Sequence, residues 1–128
     1  MALVPTLSIK DTTTFSDEVN FSVTDSLTVT APSSSLSTII ATATGGNHII
    51  VPSSTNISYL FVRHTGTTDG STSTSQLLNV ETADNTVVCT LGAGEFMFAP
   101  VHDGDATLIQ LEAASGTIVA EYAYWTKG

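Results

Sequence analysis

The residues best suited to chemistry are the histidines His48, His64 and His102, the glutamates Glu81, Glu95, Glu112 and Glu121, and the single cysteine, Cys89. Imidazoles bind zinc when three or four ligands are brought together. These histidines share no close helical or strand spacing and sit near turns, so they are expected to be surface residues. Asp103-Gly104-Asp105 begins like a calcium loop, but the alternating acidic ligands stop there, and a plain turn is expected. The glutamates could form a glycosidase pair, which needs two carboxyls at a defined gap across a sugar-lined cleft. A small domain with one tryptophan is not expected to provide that cleft. Serine, histidine and aspartate are all present, yet the Gly-x-Ser-x-Gly elbow is not. Cys89 lies in an apolar run with no cation beside it, and reads as a small buried hydrophobe that can form no internal disulfide. The sequons Asn20-Phe21-Ser22 and Asn56-Ile57-Ser58 matter only on a secretory route. The expectation is a non-enzyme with no metal and no cofactor.

Composition narrows the partners. Only Lys10, Arg63 and Lys127 are basic, against 12 acidic residues, for a net charge of −9. Nucleic-acid affinity comes mainly from neutralising phosphates with Lys and Arg, so nucleic acid is excluded as a partner, and anionic membrane with it. The chain has 128 residues, of which 41% are apolar, enough for one domain with a real core. Met1–Asp11 lacks the charged and apolar regions of a signal peptide, and no run is long enough for a transmembrane helix. Synthesis and folding in a cytosol are expected.

The elements that would position these residues are strands. Val87–Leu91 and Glu95–Ala99 flank Gly92-Ala93-Gly94, which predicts a tight reversal, with Pro100 ending the second strand. Together with Ile57–Val62 and Ile118–Trp125, the most apolar runs, they are expected to form the centre of one sheet core. Leu7–Lys10 predicts a short first strand, and Asp11–Glu18 a polar loop. Val19, Phe21, Val23, Leu27 and Val29 alternate on one face, with a turn expected at Asp25-Ser26. Ser37–Ala43 and Ile49–Val51 flank Gly45-Gly46-Asn47, a hairpin signal. His64–Ser75 predicts an exposed, mobile loop. Gln76–Glu81 and Val87–Leu91 predict a hairpin around Ala83-Asp84-Asn85. Ala106–Ala113 is mixed in propensity and is read as a strand, followed by a Ser115-Gly116 turn. The fold expected is an all-β, jelly-roll-like antiparallel sandwich of about eight strands. Residues 1–18 are expected to form an N-terminal arm and first strand, and 19–128 the sandwich domain.

Aromatic residues offer a different kind of site. Tyr122 and Tyr124 share one strand face, and Trp125 takes the other; Phe96 and Phe98 also share a face. These five residues can fill a core, or they can form an interface, because Tyr and Trp bury much area with few torsions.

ISYLFVRHTGTTDGSTSTSQLLNV, LGAGEFMFAPV and LIQLEAASGTIVAEYAYWTK, within Ile57–Lys127, together resemble small structural proteins of tailed-phage virions, of the marine type. The resemblance implies a capsid decoration, or cement, protein. Such a protein would bind the major capsid protein or another virion protein on the capsid exterior as a homo-oligomer, a trimer being favoured, after assembly in the host cytoplasm. The alternatives are a tail, neck or fibre-base component, and a carbohydrate- or receptor-binding module that uses Trp125 with Tyr122 or Tyr124.

Overall fold

The computed structural model describes residues 2–11, 20–32, 36–43, 48–51, 57–102 and 109–127. Its described elements are all strands: β1 (Ala2–Leu3), β2 (Thr6–Lys10), β3 (Asn20–Thr24), β4 (Leu27–Pro32), β5 (Ser37–Thr42), β6 (His48–Val51), β7 (Ile57–His64), β8 (Leu78–Thr82), β9 (Val87–Leu91), β10 (Phe96–His102), β11 (Ile109–Ala113) and β12 (Thr117–Lys127). All pairings are antiparallel. The sandwich-like all-β architecture expected from the sequence is present, with twelve described strands rather than about eight.

The larger sheet runs β1-β4-β12-β7-β10, with β5 beside β4 along the same edge of β12. The smaller runs β6-β11-β8-β9. Their facing sides share one core, with Leu60, Val62, Ile118 and Ala120 from the larger sheet and Leu78, Val80, Ile109 and Leu111 from the smaller. Each of the Leu, Val and Ile side chains contributes roughly 1.5–3 kcal/mol by leaving water. β12 is the backbone of the larger sheet because its eleven residues pair along both edges. β7 is paired on both sides, as its apolar run predicts.

The predicted centre is arranged differently. Among the described residues, β9 pairs only with β8 and β10 only with β7, so Gly92–Gly94 joins edge strands of two different sheets. Glycine at position 94, with φ of 82°, supplies the left-handed conformation for this arch, and no described atom lies within 4 Å of where its Cβ would be. Pro100 does not end β10, which continues to His102. An edge strand tolerates proline because one side of its ladder needs no donor.

Other expected hairpins also cross between sheets. β5 belongs to the larger sheet and β6 to the smaller, so they are not a hairpin; Gly45-Gly46-Asn47 itself lies outside the described residues. β11 and β12 likewise lie in different sheets, joined through Ser115 and Gly116. Among the described strands from β5 onward, β8–β9 is the one consecutive pair within a single sheet, as predicted around Ala83-Asp84-Asn85.

His64–Ser75 is a tightly bonded loop, against the expectation of mobility. Asp69 accepts from the backbone N–H groups of Ser71 and Thr72 and from both hydroxyls. Those bonds hold its carboxyl at about 2, below the ordinary 3.8. The loop is also stitched to β12: Thr65 N–H donates to the Val119 carbonyl, and Val119 N–H donates to the Thr67 carbonyl.

At the N-terminal end, β1 pairs with β4, and β2 with β3. These pairs are successive parts of one ladder, interrupted at Val4-Pro5 and Asp25-Ser26. No reversal forms at Asp25-Ser26, against the expectation: the chain keeps its direction from β3 into β4, because Asp25 N–H donates to the Pro5 carbonyl as a rung of the same register, while the Asp25 carboxylate accepts from Ser26 N–H. Leu7 opposes Val23 and Ile9 opposes Phe21, so all four lie on one face of the β2–β3 ribbon. Contrary to the predicted buried face, all four are 41–53% exposed, while Val29 in β4 is buried. Val19, which opens that pattern, lies outside the described residues.

Candidate interaction face

The strand register divides the predicted aromatics. In β12, Tyr122 and Tyr124 pack against the core cluster. Trp125 points the other way and lies opposite Tyr59 in β7. Phe98 lies opposite Phe61, and Phe96 opposite Arg63, on that same outer face. Phe96, Phe98 and Trp125 therefore share a surface from which Tyr122 and Tyr124 are excluded. The sugar platform of Trp125 with either tyrosine would need side chains from both faces of one sheet.

Tyr59 and Phe61 complete the outer face. Their signal was present in the alternation of ISYLFVRH, but a strand apolar on both sides reads as simply central. Phe98 stacks on Tyr59 with ring centroids 6.3 Å apart and planes 10° apart; Phe61 and Phe96 are 6.3 Å apart at 34°. Both are diagonal contacts across β7 and β10, and such aromatic pairs add about 0.5–1.5 kcal/mol beyond their area. Tyr59 is only 8% exposed, whereas Phe96 is 60% exposed. Beside Phe96, Arg63 meets Glu121 at 3.5 Å, a surface pair of little energetic weight.

The ribbon root overhangs this face. Pro5, Thr6 and Leu7 enclose a space of about 280 Å³ with Phe61, Phe96 and Phe98. A second, of about 180 Å³, lies among Pro5, Leu7, Val23, Asp25 and Phe98. The walls are mainly hydrocarbon, so the arrangement suits an apolar side chain better than a reacting group.

The other candidate residues are scattered. His64 is fully buried rather than a surface residue. Its Nδ1 accepts from Gly66 N–H and its Nε2 donates to the Gln76 carbonyl, both at 2.9 Å. A neutral imidazole satisfies one donor and one acceptor at once, so it pins both ends of the 64–76 loop. Nε2 of His48, half-buried, accepts from Thr42 N–H at 3.1 Å and links β6 to β5. His102 is exposed at the end of β10. Among the described residues, no group of three His, Cys, Asp or Glu side chains could hold a metal ion. Asp103-Gly104-Asp105 lies outside them.

Glu81 and Glu112 lie diagonally across β8 and β11, on the outer face of the smaller sheet. Glu81 is 3% exposed and accepts from Gln110 Nε2 at 3.1 Å. Burial raises its carboxyl above the ordinary range; the Gln110 bond opposes this, and the charge of Glu112 adds to it. Glu95 caps its own turn by accepting from Gly92 N–H, and Glu121 serves Arg63 on the other sheet. Cys89 is half-buried in β9; burial raises its thiol, and Glu95 raises it further.

No protein-family model matches the chain, and no curated protein matches it significantly.

Proposed function

We propose that this protein is a structural component of a phage virion, a decoration protein that binds the outer capsid surface and stabilises it through protein–protein contacts. The observation that supports it most is the exposed Phe96–Phe98 face beneath an uncovered apolar ribbon. A cement protein needs apolar area that bridges neighbours, worth about 25 cal/mol per Å² before the costs of association. The acidic charge suits an outer shell away from packaged DNA. The proposed partners are the major capsid protein and further copies of this chain, with a trimer favoured by the resemblance.

The test is quantitative mass spectrometry of purified particles. Hundreds of copies per particle are expected. A dozen or fewer would place the protein in a tail, neck or fibre base, and its absence would overturn a virion role. A glycan array with W125A addresses the binding-module alternative: a specific sugar signal lost on substitution would replace the capsid reading.

A further inference from the structure

We infer that the partner of the aromatic face is a second copy of this chain, whose β2–β3 ribbon packs its apolar side on Phe96 and Phe98. This rests on the reading of that face as an interaction surface, and it specifies the occupant. A two-stranded ribbon is marginal in water by itself, and among the described residues β2 and β3 pair only with each other, beyond the Pro5–Asp25 rung that joins them to β1 and β4. Leu7 and Val23, at its root, border the chain's own groove, whereas Ile9 and Phe21 line neither space. The outer half of the ribbon is thus an apolar surface seeking cover, and Phe96 is the most exposed large apolar residue described. One chain carries both halves of the contact.

Charge and area agree. Copies at −9 repel one another, so they can meet closely only where acidic groups are sparse. Lys10 is the single charged residue within β2 and β3; on the receiving side Glu121 is met by Arg63 at 3.5 Å, and Glu95 adjoins Phe96. If each copy gives one ribbon and receives one, the exposed parts of Leu7, Ile9, Phe21, Val23, Phe96 and Phe98 offer at most about 500 Å² per copy, so a reciprocal dimer buries about 1,000 Å² in all, the lower limit for a specific interface. Such giving and receiving closes into a ring of two or three copies.

The full-length protein is tested by sedimentation between low and high micromolar concentration, and by isotope-filtered NMR on a mixture of labelled and unlabelled wild-type copies. Concentration-dependent dimers or trimers are expected, with intermolecular contacts from Phe21 or Ile9 to Phe96. I9K and F96E should each weaken association about tenfold. The I9K/F96E double variant should recover it through the new opposite charges. Circular dichroism establishes that each variant keeps the strand fold. A monomeric wild type, or an oligomer with no ribbon-to-Phe96 contact, overturns the inference. A monomer that is nonetheless abundant on particles sinks this contact and leaves the virion role standing; an oligomer absent from particles does the reverse.

Discussion

Phe98 lies flat against Tyr59, their planes 10° apart, although Tyr59 is largely buried and Phe98 keeps 38% of its surface in water. The pair marks where the buried part of the outer face gives way to its exposed aromatics. Tyr59→Ala should cost about 3–5 kcal/mol, whereas Phe96→Ala should cost no more than about 1.5 kcal/mol, because most of that ring is already in water and its contact with Phe61 is the main loss. A double-mutant cycle on Tyr59 and Phe98 should give about 0.5–1.5 kcal/mol of coupling. Urea unfolding at low micromolar concentration, where monomers dominate, measures all three.

His64 is a structural pin. Replacing it with alanine leaves a cavity and two unpartnered backbone groups, at Gly66 and Gln76, and should cost about 3 kcal/mol. Ring nitrogen-15 shifts should show the proton on Nε2, since Nδ1 accepts from Gly66. A rapidly averaging ring would contradict the geometry.

Asp69 and Glu81 should pull stability in opposite directions with pH. The Asp69 carboxyl is lowered to about 2, so its contribution is complete above the unfolded value near 3.8 and is lost as pH falls toward 2. D69A should flatten the acid limb of the stability curve in that window, read as Tm against pH. A D69A curve parallel to the wild type would show that the loop does not depend on the carboxylate.

Glu81 has a raised carboxyl, so the folded state holds its proton more firmly than the unfolded state does. Stability therefore falls as pH rises from the unfolded value through the folded one, and the whole penalty is present above it. E81Q removes that charge, and the new side-chain carbonyl can still accept from Gln110. Its Tm should exceed that of the wild type at neutral pH and converge with it at low pH. An E81Q protein less stable at neutral pH would show that the ionised form is the favoured one.

Cys89 should react slowly with a disulfide reagent at neutral pH, since burial and Glu95 both disfavour the thiolate. Denaturant should restore the rate of an ordinary cysteine. A fast native rate would mean that β9 opens readily at the sheet edge.

The amino-acid order by itself determined most of the strands and the acidic, nearly base-free composition, though not β1 or the end of β10. Val, Ile, Thr and aromatic runs cut by Gly, Pro and Asx leave few alternatives to short extended segments. The β8–β9 hairpin was readable because its turn and both alternating flanks agree. Two things were decided only by tertiary packing. A glycine-framed reversal such as Gly92–Gly94 can return a chain to its neighbour about 5 Å away or carry it to a facing sheet about 10 Å away, and local propensity hardly distinguishes the two. Alternation in β3 shows that one face is apolar, but not what covers it. Phe21 and Val23 follow the same rule as the buried residues of β8, yet they lie open, because coverage depends on what stands opposite a strand rather than on the strand itself.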